Sequence, residues 1–302
     1  MNRLSLRVAA VSGASGFVGR AVVRALTDDG WEVLRLVRRA AGAGEIAWDP
    51  DAGTIDEAGL EGIDAVVHLA AESIAGLWTP AKKRRILESR VRGTRLLATA
   101  LAGLSEPPQT LVTASGVGYY GDAGDDLLTE SSPAGDDFMA RTCVAWEAAA
   151  AAASGIRVVH TRFGIVLHPA GGALRLMLPA FRLGLGARLG NGRQWLSWIS
   201  LRDAARVVRF VIDRPDIAGG VNSVAPGAVR NADFTRTLAS VLGRPAPFAI
   251  PAWALRTFSG GMADSLLLAS QHAVPAVLTE KDFTFDQPYL RTALTEGLDA
   301  NA

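Results

Sequence analysis

The sequence predicts an α/β protein: a doubly wound parallel sheet of Rossmann type with a smaller, mostly helical C-terminal substrate lobe. Three observations carry this expectation. The apolar run Leu6 to Val11 turns at Gly13, Gly16 and Gly19 into a stretch, Phe17 to Leu26, with apolar residues at helical spacing. Strand-like and helical patterns then alternate through about residue 168, as crossovers between parallel strands require. Beyond Asn231, helical patterns are separated by prolines at 245, 247 and 251. A nucleotide-binding part is expected over 1–168, completed by 200–225, with the lobe drawn from 169–199 and 226–302.

The glycine turn organises the rest. Gly13 would allow a tight turn, Gly16 would let backbone approach a pyrophosphate, and Gly19 would let the helix pack close to the strand. The helix N-terminus would offer free N–H groups to phosphates. A ligand-free glycine turn is the plain alternative, and the flanking strand and helix favour the dinucleotide site. The helix should stop at Gly30, and Trp31 to Val37 is a second strand. An acid about 20 residues past the glycines would favour NAD. Here Arg38 fills that place, with Arg35 and Arg39 nearby and Glu45 the next acid. Guanidinium groups suit a 2′-phosphate, so NADP(H) is expected, against a plain surface arginine pair.

Ile63 to Ala71 is the next core strand, and its His68 reads as a core histidine. A helix from Pro80 to Leu104 carries Lys82–Arg85 as a solvated face. The strand Thr110 to Thr113 leads into Ala114–Gly121, then an acidic loop (122–137), a helix from Phe138 to Ala153 and a strand from Ile156 to Phe163. An amphipathic helix is expected over 171–186 and a hairpin-type turn at Asn191-Gly192. Ser200 to Asp203 resembles a capping box, and Val221 to Val224 is a short strand.

Composition bounds function. The chain has 302 residues, 49% hydrophobic and 20% charged, with a net charge of +1, which gives no reason to expect a nucleic-acid partner. One cysteine, Cys143, excludes an internal disulfide and a thiolate metal cluster. No apolar run approaches a membrane span and no signal layout opens the chain, so a soluble cytoplasmic protein acting on a small-molecule substrate is expected. No residue fixes an oligomeric state.

Several motifs resemble the extended short-chain dehydrogenases/reductases: Gly13-Ala14-Ser15-Gly16-Phe17-Val18-Gly19, Val66-Val67-His68-Leu69-Ala70-Ala71, Arg92-Gly93-Thr94, and Ser115 to Asp122. Ser89-Arg90, Gly116–Gly121, Trp146–Ala149, Gln194–Ile199, Phe283-Thr284-Phe285 and Pro288 are similar to an atypical branch of epimerase-family oxidoreductases. Bacterial members of that branch are sometimes labelled cell-division inhibitors or nucleoside-diphosphate-sugar epimerases. The likeness runs from about residue 6 to residue 298. It implies a cofactor over Gly13, Ser15, Gly16, Phe17, Val18 and Gly19, with its 2′-phosphate at Arg38 and Arg39 beside it. It implies adenosine contacts at Leu69 and Ala70, an approach by Arg90, and Val166 behind the nicotinamide.

The resemblance fails at the catalytic relay. The wider family uses Ser/Thr with Tyr-x-x-x-Lys. Four residues after Tyr119, Tyr120 and Tyr289 stand Ala123, Gly124 and Ala293, and the lysines are Lys82, Lys83 and Lys281. Anchoring on Glu147 puts Met139 and Cys143 at the relay positions, and the usual hydroxyl falls on Gly116, one past Ser115. Ser115, Tyr119 and Tyr120 are the remaining candidates for acid chemistry. An NADP(H)-dependent oxidoreductase is the leading expectation. A nucleotide-sugar epimerase or dehydratase and a non-catalytic NADP(H)-binding redox sensor are the alternatives. Glu72, Gln194, Trp195 and Trp198 are candidate substrate contacts, the tryptophans equally a packed seam; Arg141 and Arg162 read as structural or rim residues.

Overall fold

The structure, a computed structural model, describes residues 6–259 and 261–299. Residues 1–5, 260 and 300–302, which the expected part boundaries include, lie outside the described residues. The first half runs β1 (Val8–Ser12), α1 (Phe17–Asp28), β2 (Glu32–Val37), β3 (Glu45–Asp49), β4 (Thr54–Ile55), β5 (Ala65–His68), α2 (Pro80–Ala102), β6 (Thr110–Gly116), β7 (Leu127–Leu128), α3 (Phe138–Ala149) and β8 (Arg157–Phe163). Then come β9 (Ile165–Leu167), α4 (Gly172–Arg182), β10 (Ala187–Leu189), β11 (Trp195–Leu196), β12 (Trp198–Ser200), α5 (Leu201–Ile212) and β13 (Gly219–Ser223). The last part holds β14 (Val229–Arg230), α6 (Asn231–Val241), β15 (Phe248–Ile250), α7 (Ala252–Ser259), a π-helical turn (Ala263–Leu268), β16 (His272–Ala273), α8 (Ala276–Glu280) and α9 (Leu290–Asp299).

The main sheet has eight strands in the order β13-β8-β6-β5-β1-β2-β3-β4, parallel except for β4. This is the doubly wound architecture that the alternation predicts. The strand order reverses between β1 and β5, which opens a crevice at their carboxyl ends. Each face buries an apolar layer. One joins Val22, Leu26, Val207, Val208 and Val211 of α1 and α5 to Ala9, Val11 and Val67. The other joins Leu97 and Leu101 of α2 to Ala10, Val66 and Leu111. Caps set the helix starts. Thr79 accepts from the Lys82 N–H, Asp137 from that of Ala140 and Ser200 from that of Asp203.

A third core joins Leu174, Leu178 and Phe181 of α4, Phe234 and Leu238 of α6, and Leu294 of α9 around Trp198. Buried Asp203 ties the carboxy-terminal part to α5 by accepting from the backbone N–H of Asp286 and Gln287 at 3.0 and 2.9 Å. Two readings change. Strand β3 has no counterpart in the sequence analysis. The Asn191-Gly192 turn does not close a hairpin, because β10 pairs in parallel with β15 and β11 pairs with β14. No helix among the described residues is long and apolar enough to cross a membrane.

Candidate active site

The glycine turn follows directly from β1. Gly13 has φ +68°, its carbonyl accepts from the Gly16 N–H at 2.8 Å, and a Cβ there would stand 2.9 Å from the Ala70 nitrogen. At Gly19 a Cβ would stand 2.0 Å from the Gly13 carbonyl oxygen, so the helix can approach the strand only without one. Gly16 is the N-cap of α1, and no side chain caps it. Above this turn lies a cleft of about 1220 Å³ lined by Gly13, Ser15, Gly16, Arg35, Arg38, Arg39, Leu69, Ala70 and Glu72. Its position at the β1/β5 reversal, a cradle without Cβ atoms and an uncapped helix end fit a pyrophosphate-bearing dinucleotide.

The arginines divide. Arg39 donates through Nη1 and Nη2 to the two Glu45 oxygens, at 2.8 and 2.6 Å. That guanidinium and the Gly42 N–H hold the Glu45 carboxyl below its usual range. Arg38 and Arg35 are exposed over the cleft; Arg35 is close enough to Glu45 to help lower its carboxyl, and Arg38 has no side-chain partner among the described residues. Other expected contacts stand elsewhere. Val18 packs into the sheet core, and Phe17 lies against Gly171 and Gly172. Val166, in β9, pairs with Ile199 and packs on the same core. Arg90, expected to approach the cofactor, does not line the cleft. It is buried, donates to the carbonyls of Glu72 and Ile86 at 3.0 Å, and lies 4.8 Å over the Trp146 ring.

At the end of β6 the chain builds a buried polar network. Ser115 Oγ donates to Glu147 Oε1 at 2.7 Å, and Arg162 grips both Glu147 oxygens through Nε and Nη2 at 2.9 and 2.8 Å. Arg162 Nη1 also donates to the Tyr120 hydroxyl at 3.0 Å, which in turn donates to Asn222 Oδ1 at 2.7 Å. Burial works against the Arg162 charge, but Glu147 outweighs it and raises the guanidinium pKa. Burial likewise raises the Tyr120 pKa, against Arg162. The Tyr120 phenol is thus committed inside the network. Tyr119 differs: it is half-buried, its ring lies 3.5 Å from the Arg162 guanidinium, and its hydroxyl has no partner among the described residues. Cys143, at the lysine position, is buried and its thiol is pushed up to about 11 by that burial, with Glu147 adding to it.

The substrate candidates separate too. Trp198 is a correction: it is fully buried at the centre of the third core, donates to the Gly227 carbonyl at 2.7 Å and does not line the cleft. Gln194 is another, since its buried amide donates to the carbonyls of Leu189 and Leu267 at 3.3 and 2.9 Å. Trp195 stacks on His272 at 4.0 Å with the Arg230 guanidinium 4.1 Å from its ring. Glu72 is bound by Lys82 at 2.7 Å, which holds its carboxyl below the usual range. His68 is buried and 2.6 Å from Ser12 Oγ, and desolvation lowers its pKa to about 4. No group of His, Cys, Asp and Glu among the described residues could hold a metal.

Glu147 and Arg162 form a buried pair at the site that the sequence analysis missed, reading one as a landmark and the other as a structural or rim residue. Their signal was weak: they lie 15 residues apart, on α3 and β8.

Comparison with known proteins follows this geometry. Residues 9–224 match the NAD dependent epimerase/dehydratase family, and residues 250–296 match a domain of unknown function, DUF1731. An epimerase family protein of Mycobacterium bovis is 43% identical over 95% of this chain and 96% of its own length. The crystal structure of human epimerase family protein SDR39U1 with NADPH superposes with a TM-score of 0.89 at 33% identity, covering 97% of this chain and 99% of that one. A nucleoside-diphosphate sugar epimerase from Corynebacterium glutamicum is similar at 36% identity and a TM-score of 0.81, over 97% of this chain and 58% of its own.

Proposed function

Because the chain belongs to the NAD dependent epimerase/dehydratase family, we propose that it is an NADP(H)-dependent oxidoreductase of the extended short-chain dehydrogenase/reductase type, working without a Tyr-x-x-x-Lys relay on a small-molecule substrate. The observation that carries the cofactor preference is Arg38: an exposed guanidinium just past the end of β2, without a side-chain partner among the described residues, next to a Glu45 that is bound by Arg39. The NADPH in the human SDR39U1 structure supports the same reading.

NADP(H), when bound, supplies or accepts the hydride. The uncapped start of α1 and the glycine cradle hold the diphosphate, and Arg38 with Arg35 meets the 2′-phosphate. Leu69 and Ala70 bound the adenosine side. Tyr119 carries the proton, because its phenol is the one aromatic hydroxyl of the site that the protein leaves uncommitted. Arg162 positions its ring and is itself locked by Glu147. Ser115 spends its proton on Glu147, so it can accept from a substrate hydroxyl but cannot donate to a carbonyl.

The test is a paired titration of wild type and Arg38→Asp with NADPH and NADH. Charge-assisted hydrogen bonds of about 1.5–3 kcal/mol predict an NADPH affinity roughly 10- to 100-fold weaker, with NADH affinity little changed. Equal losses for both dinucleotides would remove the 2′-phosphate assignment. A second reading, an NADP(H)-binding sensor without turnover, is favoured by one observation: Ser115, Glu147, Arg162 and Tyr120 satisfy one another. Tight NADPH binding with no oxidation against a carbonyl panel would favour it.

A further inference from the structure

One apolar cluster belongs to neither sheet face nor the third core. It joins Trp78 and Ile74 from the stretch after β5, Tyr119 from the turn after β6, and Phe138, Met139 and Cys143 of α3 to Met262 and Leu266 of the carboxy-terminal part. It therefore stands at the carboxyl ends of β5 and β6, on the side where open parallel sheets bind ligands. A sealed seam would bury all of these side chains. Instead Ile74, Tyr119, Phe138, Met262 and Leu266 remain half-exposed while facing one another. Trp78 and Phe138 meet edge to face at 5.1 Å, and the Trp78 N–H is already satisfied by the Ile74 carbonyl at 2.8 Å. Lys83 Nζ sits 5.1 Å from the Phe138 ring, with no ion-pair partner among the described residues.

Met262 and Leu266 belong to a segment unlike the rest of the fold. It contains the π-helical turn, a rare conformation frequent at functional sites. Its outer side exposes Trp253 and Phe258, 68% and 80% accessible, and its end is fastened by the Gln194 bond to the Leu267 carbonyl. The polar atoms that the cluster offers are the Tyr119 hydroxyl, the buried Cys143 thiol and, at its edge, the Lys83 ammonium. One cation and one phenol could not replace the water around all the hydroxyls and phosphates of a nucleotide sugar, and stripping such groups without partners is costly. An aromatic ring loses nothing there.

We infer that this half-open cluster is the substrate pocket, and that the substrate is an apolar carbonyl compound bearing an aromatic ring, or the matching alcohol, rather than a nucleotide sugar. The inference rests on the oxidoreductase reading above. In the reducing direction the carbonyl carbon gains the hydride and its oxygen gains the Tyr119 proton. The secondary alcohol leaves, NADPH becomes NADP+, and water reprotonates the phenol.

The test uses full-length protein saturated with NADPH, titrated by calorimetry with 2-acetylnaphthalene and separately with UDP-glucose; NADPH affinity is measured in parallel. The ketone should bind and UDP-glucose should not. Leu266→Glu, which puts a charge into the lining, should weaken ketone binding about tenfold or more while NADPH affinity holds. Leu266→Met should retain ketone binding, and Phe258→Glu, on the outer side of the same segment, should leave both unchanged. UDP-glucose binding, a ketone that fails to bind while NADPH binds, or a Leu266→Glu protein that binds ketone normally would each overturn the inference. Wild type that binds no NADPH would overturn the oxidoreductase reading, and this inference with it.

Discussion

Replacing Arg162 by Met tests whether the polar network at the end of β6 is built into the fold. The side chains of Arg162 and Glu147 are 6% and 11% accessible, and the guanidinium makes hydrogen bonds to both Glu147 oxygens, the Tyr120 hydroxyl and the Glu130 carbonyl. Methionine fills much of the same volume, so the main loss is charge pairing. Glu147 would keep only the Ser115 hydroxyl, and removing one partner of a buried pair costs about 3–5 kcal/mol. The Arg256–Asp264 pair is an internal control at 57% and 56% accessibility, and Arg256→Met should cost about 1 kcal/mol or less. Urea denaturation at constant m-value reads both. The double variant Arg162→Met/Glu147→Gln should recover much of the loss, since it removes the uncompensated carboxylate. If Arg162→Met costs no more than Arg256→Met, the network is not what holds this end of the site.

Two further outcomes follow from the same contacts. Tyr119→Phe removes the uncommitted phenol, so ketone turnover should fall about 100-fold or more with NADPH affinity unchanged; an unchanged kcat would exclude Tyr119 as the proton carrier. Buried His68 takes up a proton only near pH 4, whereas an unfolded histidine does so near 6.5. The unfolded state therefore binds more protons between those values, and stability should fall by up to about 1.4 kcal/mol per unit as pH drops through that window. Urea midpoints at pH 7 and 5 should show a smaller decline for His68→Gln than for wild type; equal declines would assign the slope elsewhere.

How much was legible in the sequence depends on range. The glycine cradle is local, since three glycines, one strand and one helix fix it within about twenty residues. Strand β3 escaped because only Ile46 and Trp48 of its five residues are buried, and no helix separates it from β2. The Asn191-Gly192 turn is real at the level of backbone, with Gly192 at φ +71°, yet β10 finds its partner some sixty residues later. The two tryptophans were grouped by their spacing of three. In extended chain, side chains an odd number apart point to opposite faces, so Trp195 reaches Arg230 and His272 while Trp198 enters the core. Glu147 and Arg162 could be joined only by the β6–β8 pairing that brings Arg162 level with Ser115.

That pairing also bears on the direction of the chemistry. In the wider family the cation beside the tyrosine is a lysine from the helix after β6, able to tune and exchange protons. Here that helix position is Cys143, buried within the apolar cluster, and the cation beside Tyr119 arrives from β8 as Arg162. A guanidinium does not give up its proton in proteins, and Glu147 occupies two of its donor sites, so it can orient a phenol but not relay from it. Epimerisation of a sugar begins by removing a hydroxyl proton and needs a free base. The carboxylate nearest Ser115 is Glu147, already held by Arg162 on both oxygens. Tyr119 can pass a proton to a developing alkoxide, whereas the carboxylate beside Ser115 is already held, and this favours the proposed carbonyl–alcohol interconversion over epimerisation.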